Sequence, residues 1–342
     1  YMIATAIVSM FMTDTGAVAV GMALALPFLR GINAKETHPN LGRCLALGIA
    51  FAAILGGFIT PFGHSLNILC SGLLTSTYGL TIDFFQWFVP GLIIAIILVP
   101  FCWIVICKVF PPEELSEEEA ALVKGTGEKT PMTTKDILSL IYMIVLVAGF
   151  IAGTWVPVLS NVNVVMIMLA VAFIPGLELV TWKDFQDTVG WGVVLMVAGV
   201  MSIAGACAST GAAAFLVNSL LSTGVMNLPV LAGLLVFTAL AYIVHTFVPA
   251  APALCALFVP AVMGYLVAAG ASPAMFAMLM GSITAGSFLL PLSPPMLVSF
   301  AEGYYSSAEL TKAGWLCSIA YVIVEVLVVY FVGGAMGLPL VA

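Results

Sequence analysis

Three stretches of this sequence, GLIIAIILVPFCWIVICKVF (91–110), ILSLIYMIVLVAGFIAGTWV (137–156) and GWLCSIAYVIVEVLVVYFVG (314–333), carry at most one charged residue each. Each is about 20 residues long, the length at which an α-helix covers the hydrocarbon of a bilayer. Their apolar character runs all round instead of alternating with period two, which argues against a membrane barrel. The rest of the chain agrees: of 342 residues 63% are hydrophobic and 7% charged, with a mean hydropathy of +1.21. A water-soluble domain cannot hide that much apolar surface. The fold class expected is an all-α polytopic membrane protein in contact with lipid.

The nine basic residues orient the helices. They fall in groups: Arg30, Lys35 and Arg43; Lys108, Lys124, Lys129 and Lys135; Lys183; Lys312. The connections at 81–84, 157–163, 222–228 and 270–274 carry none. If 42–80, 136–155, 190–210 and 313–334 cross outward and 84–108, 160–176 and 275–302 cross inward, every basic residue is cytoplasmic, as the positive-inside rule asks. Segment 228–270 must then leave and return on the outer side, a re-entrant hairpin. Residues 1–30, interrupted at MFMTDTGAV, read as its counterpart from the inner face. PPEELSEEEAALVKGTGEKTPMTTKD (111–136) is polar and reads as a solvated linker, its run Glu117, Glu118 and Glu119 forming a surface helix face.

After each hairpin comes an apolar segment broken in its middle, AFAAILGGFITPFGHSLNILCSGLL (50–74) and GSITAGSFLLPLSPPMLVSFAEGYY (281–305). The order hairpin, broken helix, final span therefore occurs twice, from opposite sides. That order is the mark of an inverted-repeat transporter. The expected parts are a first repeat at 1–110, a cytoplasmic linker at 111–135 and a second repeat at 136–342, with the broken helix at 275–303 and the final span at 313–335. Interrupted backbone at membrane depth is tolerated only inside protein or along a cavity, because unpaired N–H and C=O groups in lipid cost several kcal/mol each. A single break can be a packing kink; four in two matching series point to one shared site. Thr13 can cap the arm starting near Asp14, Pro252 suits the first turn of the arm near Ala251, Ser65 can cap the helix after Gly63, and Ser293 with Pro294 forms an N-cap and N1 pair. All four would aim positive helix ends at the midplane, where an anion is the natural ligand.

At these residues the chain resembles the divalent anion:sodium symporter family, transporters of dicarboxylates, citrate and sulfate. The family's two tips carry Ser-Asn-Thr and its breaks read like GG..TP.GTPPN and LP..TPPN; here they appear as SMFMTDT (9–15), HTFVPAA (245–251), GGFITPFGHSLN (56–67) and LPLSPPM (290–296). WGVVLMVAGVMSIAGACASTG (191–211) and TIDFFQWFVPGL (81–92) also look like family segments. The resemblance implies one cation site at Ser9, Thr13, Asp14 and the backbone of Gly63, and a second at His245, Pro249, Ala250 and the backbone of Leu292. It implies substrate contacts from Thr13, Asp14, Thr15, His64, Ser65, Ala250, Ala251, Ser293 and Pro294. It further implies sodium as coupling ion, alternating access by movement of the hairpin domain against a scaffold, and a homodimer. Scaffold helices are expected ahead of Tyr1, where the chain starts inside an apolar segment without an initiator Met. The expected location is the inner membrane of a bacterium.

The chain departs from the family at both tips: Thr13-Asp14-Thr15 and Pro249-Ala250-Ala251 replace Ser-Asn-Thr. The second has lost its side-chain oxygens, and a hard cation such as sodium wants oxygen ligands. Asp14 adds a full charge that favours a bound cation and repels a dianion unless neutralised. His245 reads either as a group titrating near neutral pH or as a hydrogen-bonded structural histidine. His64 is expected to face ligand. Glu325 is an intramembrane carboxylate, read as protonated or paired on a peripheral helix. Glu302 and Tyr304 read as interfacial.

The seven cysteines have no CxxC spacing and read as packing residues, and no cofactor or further metal site is expected. No basic stripe suggests nucleic acid. The function expected is secondary active transport of small anions, most of all di- or tricarboxylates, coupled to sodium or protons. Alternatives are an oxyanion permease or sodium/proton exchanger, a passive anion channel, and an intramembrane enzyme, for which no catalytic cluster is visible.

Overall fold

The structure, a computed structural model, describes residues 1–120, 132–153, 155–159, 161–177, 179–189, 191–211, 215, 228–248 and 250–341. Among them there is helix, turn and coil and no strand. The helices are α1 (Met2–Ser9), α2 (Asp14–Gly31), α3 (Pro39–Gly57), α4 (Ser65–Tyr78), α5 (Phe84–Val109), α6 (Thr134–Gly153), α7 (Asn161–Ala172), α8 (Trp182–Thr188), α9 (Trp191–Ser209), α10 (Val230–Phe247), α11 (Ala251–Ala268), α12 (Ala274–Ile283), α13 (Pro294–Ala301) and α14 (Ser307–Val328), the last ending in a π turn, Val329–Gly333. Six of the described helices are long and apolar enough to cross a membrane: 39–57, 84–109, 134–153, 230–247, 251–268 and 307–333.

The chain forms two compact units. The smaller comprises Asp83–Phe85 and Gly127–Leu195. In it the Tyr142 hydroxyl of α6 donates to the Met168 carbonyl of α7 at 2.9 Å, and Phe84 stacks on Phe150. The span expected at 160–176 is only the 12-residue α7, which closes in turns after Ala172. At about 1.5 Å per residue such a helix is shorter than the roughly 30 Å hydrocarbon.

The larger unit comprises Tyr1–Ile82, Gln86–Thr126 and Met196–Ala342. It holds two series of the same order. In the first, α1 and α2 form an antiparallel pair, with the Tyr1 hydroxyl on the Leu24 carbonyl and Gly21 directly against Thr5, followed by α3 and α4. In the second, α10 and α11 pair with Gly233 under the Tyr265 ring, followed by α12 and α13. The helix after each break packs across the other series: α13 lies against α2 and α3, while α4 lies against α11 and α12. Close approach needs small residues, and a Cβ on Gly281 of α12 would meet Asn67 Oδ1 of α4 at 2.8 Å.

Helix ends follow local chemistry. Gly79, at φ +68°, takes the left-handed position that closes α4. Ser306 and Glu309 form a reciprocal capping box that starts α14 at Ser307, six residues before the expected 313. Thr133 with Asp136 does the same for α6, and Thr181 with Asp184 for α8. Within the expected linker, residues 117–120 are helical, with Ser116 bonded to Glu119, and 121–131 lie outside the described residues. Glu302 pairs with Arg30 at 3.5 Å, and Lys35 lies 5.0 Å over the Tyr304 ring.

Candidate substrate and ion site

The first tip is a four-residue turn, Met10 to Thr13, between α1 and α2. Thr13 is extended, and its hydroxyl accepts the Gly16 N–H at 3.3 Å as N-cap. That side chain is exposed, whereas Asp14, the first residue of α2, is 2% exposed. A carboxylate is favoured there by the free N–H groups and positive end of the helix. Asp14 Oδ1 accepts the N–H of Thr15 at 2.8 Å, with the Thr15 hydroxyl at 3.5 Å.

The first break, Phe58 to His64, folds under this tip. The Thr60 hydroxyl donates to the Met10 carbonyl at 2.6 Å and accepts the Gly63 N–H at 3.1 Å. Asn67, fully buried on the first turn of α4, donates to the carbonyls of Gly57 at 3.0 Å and Thr60 at 3.1 Å. These bonds supply partners that broken helix leaves free. Ser9, also fully buried, donates to the Ala53 carbonyl at 2.7 Å. A Cβ on Gly63 would lie 2.5 Å from the Gly57 oxygen and 2.7 Å from the Ser9 oxygen, and one on Gly57 would touch the Gly63 oxygen, Ser9 Oγ and Asp14 Cβ. Ser9, Asp14, Gly57 and Gly63 thus share one small space rich in oxygen.

His64 is the extended N-cap of α4, and its Nδ1 stands 3.1 Å from Asp14 Oδ2. Ser65, expected to cap α4, is instead its first helical residue: one position earlier in the chain already has the extended conformation a cap needs. At the second tip, His245 and Thr246 end α10 as buried residues, and Ala250 precedes Ala251, the first residue of α11. Pro252 occupies the first turn, and Pro249 lies outside the described residues. Thr246 Oγ1 donates to the Tyr242 carbonyl at 2.8 Å and stands 3.0 Å from Ser287 Oγ of the second break.

The second break runs from Thr284 to Ser293. Ser293 is the N-cap of α13 and Pro294 opens the helix, but the Ser293 hydroxyl makes no capping bond. Pro294 and Pro295 have no N–H to give, which removes the usual N2 donor. Leu292 is 42% exposed and Pro294 is exposed.

Buried polar atoms without a hydrogen-bond partner among the described residues include His64 Nε2 and Asn67 Oδ1 at the first break, His245 Nδ1 at the second tip and Ser293 Oγ at the second break, with Thr238 Oγ1 and Glu325 Oε2 elsewhere. At the first tip Asp14 Oδ2 faces only the His64 imidazole, at 3.1 Å. Native interiors satisfy nearly all such atoms, so orphans gathered at helix interruptions mark where a ligand or ion completes the set. Thr60, Asn67, Thr246 and Ser287, which hold the breaks in shape, were not singled out by the sequence reading. An intramembrane amide on the first turn after a break was the one available sign for Asn67.

Two helical pairs, each followed by a helix broken at membrane depth around buried polar groups, define a polytopic membrane transporter. The chain belongs to the sodium:sulfate symporter transmembrane region family, which it matches over residues 1–338. It is 26% identical over 333 residues to an uncharacterised transporter of Haemophilus influenzae, covering 94% of this chain and 69% of that protein. It is 23% identical over 357 residues to the sodium-dependent dicarboxylate transporter SdcS of Staphylococcus saprophyticus, covering 97% of this chain and 68% of that protein. An uncharacterised transporter of Methanocaldococcus jannaschii is 26% identical over 316 residues, covering 91% and 68%. The protein is therefore an integral membrane protein of an anion-transporter family.

Proposed function

We propose that the protein is a secondary active transporter of small di- or tricarboxylates, working by alternating access as an inverted-repeat homodimer. The two repeats are 1–110 and 136–342, with the connecting segment on the cytoplasmic side of a bacterial inner membrane. The observation that carries the reading is the set of unpartnered polar atoms at both breaks and the second tip, together with the buried Asp14–His64 pair at the first. A substrate carboxylate would be held by the N-terminal N–H groups of α2, α4 and α11 and by His64 Nε2, with Thr13, Thr15, Ser65, Ala250, Ala251, Ser293 and Pro294 around it. The alanines admit backbone close to the ligand without bulk.

Sodium is the coupling ion at the first tip in this reading. The donors suit it: Ser9, the Asp14 carboxylate and the carbonyls that crowd Gly63 are hard oxygens. The second tip, with His245, Ala250, Pro249 and Leu292, offers an imidazole and no side-chain oxygen from those four residues, and is read as a proton or substrate contact and not a second sodium site. Asp14 faces His64, and a cation bound at the first tip would offset its charge, so that a dianion can approach.

The test is uptake of labelled succinate and citrate into proteoliposomes under separately imposed sodium and pH gradients. Accumulation driven by sodium is expected. Accumulation driven by a pH gradient alone would move the coupling to the Asp14 and His64 pair, and flux that never exceeds the external concentration would identify a channel. Absence of uptake of either acid under every gradient would overturn the carboxylate assignment.

A further inference from the structure

Glu325 lies on α14, away from both tips, and is fully buried. The helix is no bystander at the rim of the unit: it packs against α10 and α12. Ser282, the penultimate residue of α12, donates to Glu325 Oε1 in a short hydrogen bond. The Tyr321 hydroxyl stands 2.8 Å from Ser282 Oγ and donates to the Ser282 carbonyl at 2.9 Å. Glu325 Oε2 has no partner among the described residues.

The groups facing the carboxyl decide its protonation. On its own helix the titratable neighbour is Tyr321; from α10 the nearest is Tyr242, whose ring meets that of Tyr321 edge to face at 6.0 Å. α12 is AMFAMLMGSI and brings no titratable group. No basic residue pairs with Glu325 among the described residues. An ionised carboxylate here would be a buried charge with one hydrogen bond and no counter-charge, a costly state. Protonation would reverse the Ser282–Glu325 bond and close a donor chain: Glu325 O–H to Ser282 Oγ, Ser282 O–H to Tyr321 Oη, and Tyr321 O–H to the Ser282 carbonyl.

This cluster touches the second break directly. The Tyr321 ring lies 5.0 Å from that of Phe288. The Phe288 N–H donates to Tyr242 Oη at 3.1 Å, and its carbonyl sits directly over Gly314, leaving no room for a Cβ. Movement of the break therefore moves the wall of the carboxyl's cavity.

We propose that Glu325 is a proton-binding site separate from the substrate and sodium sites, and that it holds a proton while the second break is packed as seen here. It gives that proton to water when the break rearranges, and is left as a carboxylate. The O–H bond breaks, water takes the proton, and no other bond changes. Protons are thereby linked to the transport cycle, a consequence that rests on the transporter reading above.

Infrared spectroscopy of the purified protein in D2O tests the proton itself without any transport. At neutral pH the wild type is expected to show the C=O stretch of a protonated, water-shielded carboxylic acid. That band is lost in Glu325→Gln, persists in Asp14→Asn, and shifts in Ser282→Ala, which keeps the carboxyl and removes its acceptor. A wild type without the band, or a band unchanged in both Glu325→Gln and Ser282→Ala, overturns the site. Should Glu325→Gln not fold, the Ser282→Ala shift decides. In proteoliposomes, Glu325→Gln is expected to take up succinate with a pH profile flatter than that of the wild type; an identical profile overturns the linkage. If the wild type takes up neither succinate nor citrate, the carboxylate reading fails, while the infrared result still judges the proton site.

Discussion

His64 Nδ1 faces Asp14 Oδ2 at 3.1 Å across the space between the first break and the first tip, with both side chains shielded from solvent. If this pair borders a cation site, changing either member alters the response to sodium. Asp14→Asn removes the charge, and the rise in Tm that sodium gives the wild type is expected to vanish. His64→Ala removes the side chain that faces the buried Asp14 carboxylate, which is expected to destabilise the protein, and the added cation then offsets more of that loss. Its Tm should be lower without sodium and rise further with it. A sodium-dependent shift that survives in Asp14→Asn would remove this residue from the cation site.

Two glycines separate the site's geometry from general helix effects. At Gly63 an added Cβ collides with two backbone oxygens, at 2.5 and 2.7 Å, neither of which can rotate away. Gly63→Ala is expected to lose about 1–3 kcal/mol of stability and most uptake. At Gly199, inside α9, nothing among the described residues lies within 4 Å of the added atom, so Gly199→Ala should be neutral or gain up to about 1 kcal/mol from helix propensity. Thermal melts and uptake of both variants, measured side by side, check the contrast; an unaffected Gly63→Ala would mean that the oxygens around Gly63 are not closely packed.

Much of this architecture was legible because membrane helices obey few rules. Length, continuous apolarity and the placement of Lys and Arg located the spans, and Gly, Pro and small polar residues in GGFITPFGHSLN and LPLSPPM located the breaks. The start of α14 was missed because SAELTK is polar; the box of Ser306 and Glu309 carries the helix beyond its apolar part. The pairing of Asp14 with His64 joins residues fifty positions apart and depends on the break folding back under the tip. Hydropathy does not register such a contact. The same holds for Glu325: its place in the repeat reads as peripheral, whereas its surroundings come from α10 and α12.

Outside the membrane segments, Glu113 ties the chain after α5 to the start of α3. Its two carboxylate oxygens accept the N–H groups of Asn40 and Leu41, both at 3.0 Å, where the helix has donors to spare. Partial desolvation pushes the Glu113 pKa up, but the N–H donors outweigh it, and the net shift is downward. A carboxyl whose folded pKa lies below its unfolded value adds stability above the unfolded pKa, and loses it as pH falls through the folded one. Wild-type Tm is therefore expected to drop as the pH falls below the ordinary carboxylate range, and the drop should be smaller in Glu113→Gln, which starts lower at neutral pH. Parallel curves for the two proteins would show that the contact does not contribute.

Cys70 of α4 and Cys255 of α11 bring their sulfurs to 3.5 Å, both fully buried, one from each helical series. A disulfide would need the sulfurs to close from 3.5 Å to about 2.0 Å. In a protein whose other cysteines are changed to alanine, membrane-permeant diamide should oxidise the two thiols to a disulfide, with reduction of the diazene to a hydrazine, and intact-mass measurement should show loss of two hydrogens. The effect on uptake then reports on motion. If the hairpins and broken helices travel as one body, α4 and α11 keep their contact throughout and the cross-linked protein continues to take up substrate. Reversible arrest, relieved by reductant, would show instead that the two series slide past each other between α4 and α11 during transport.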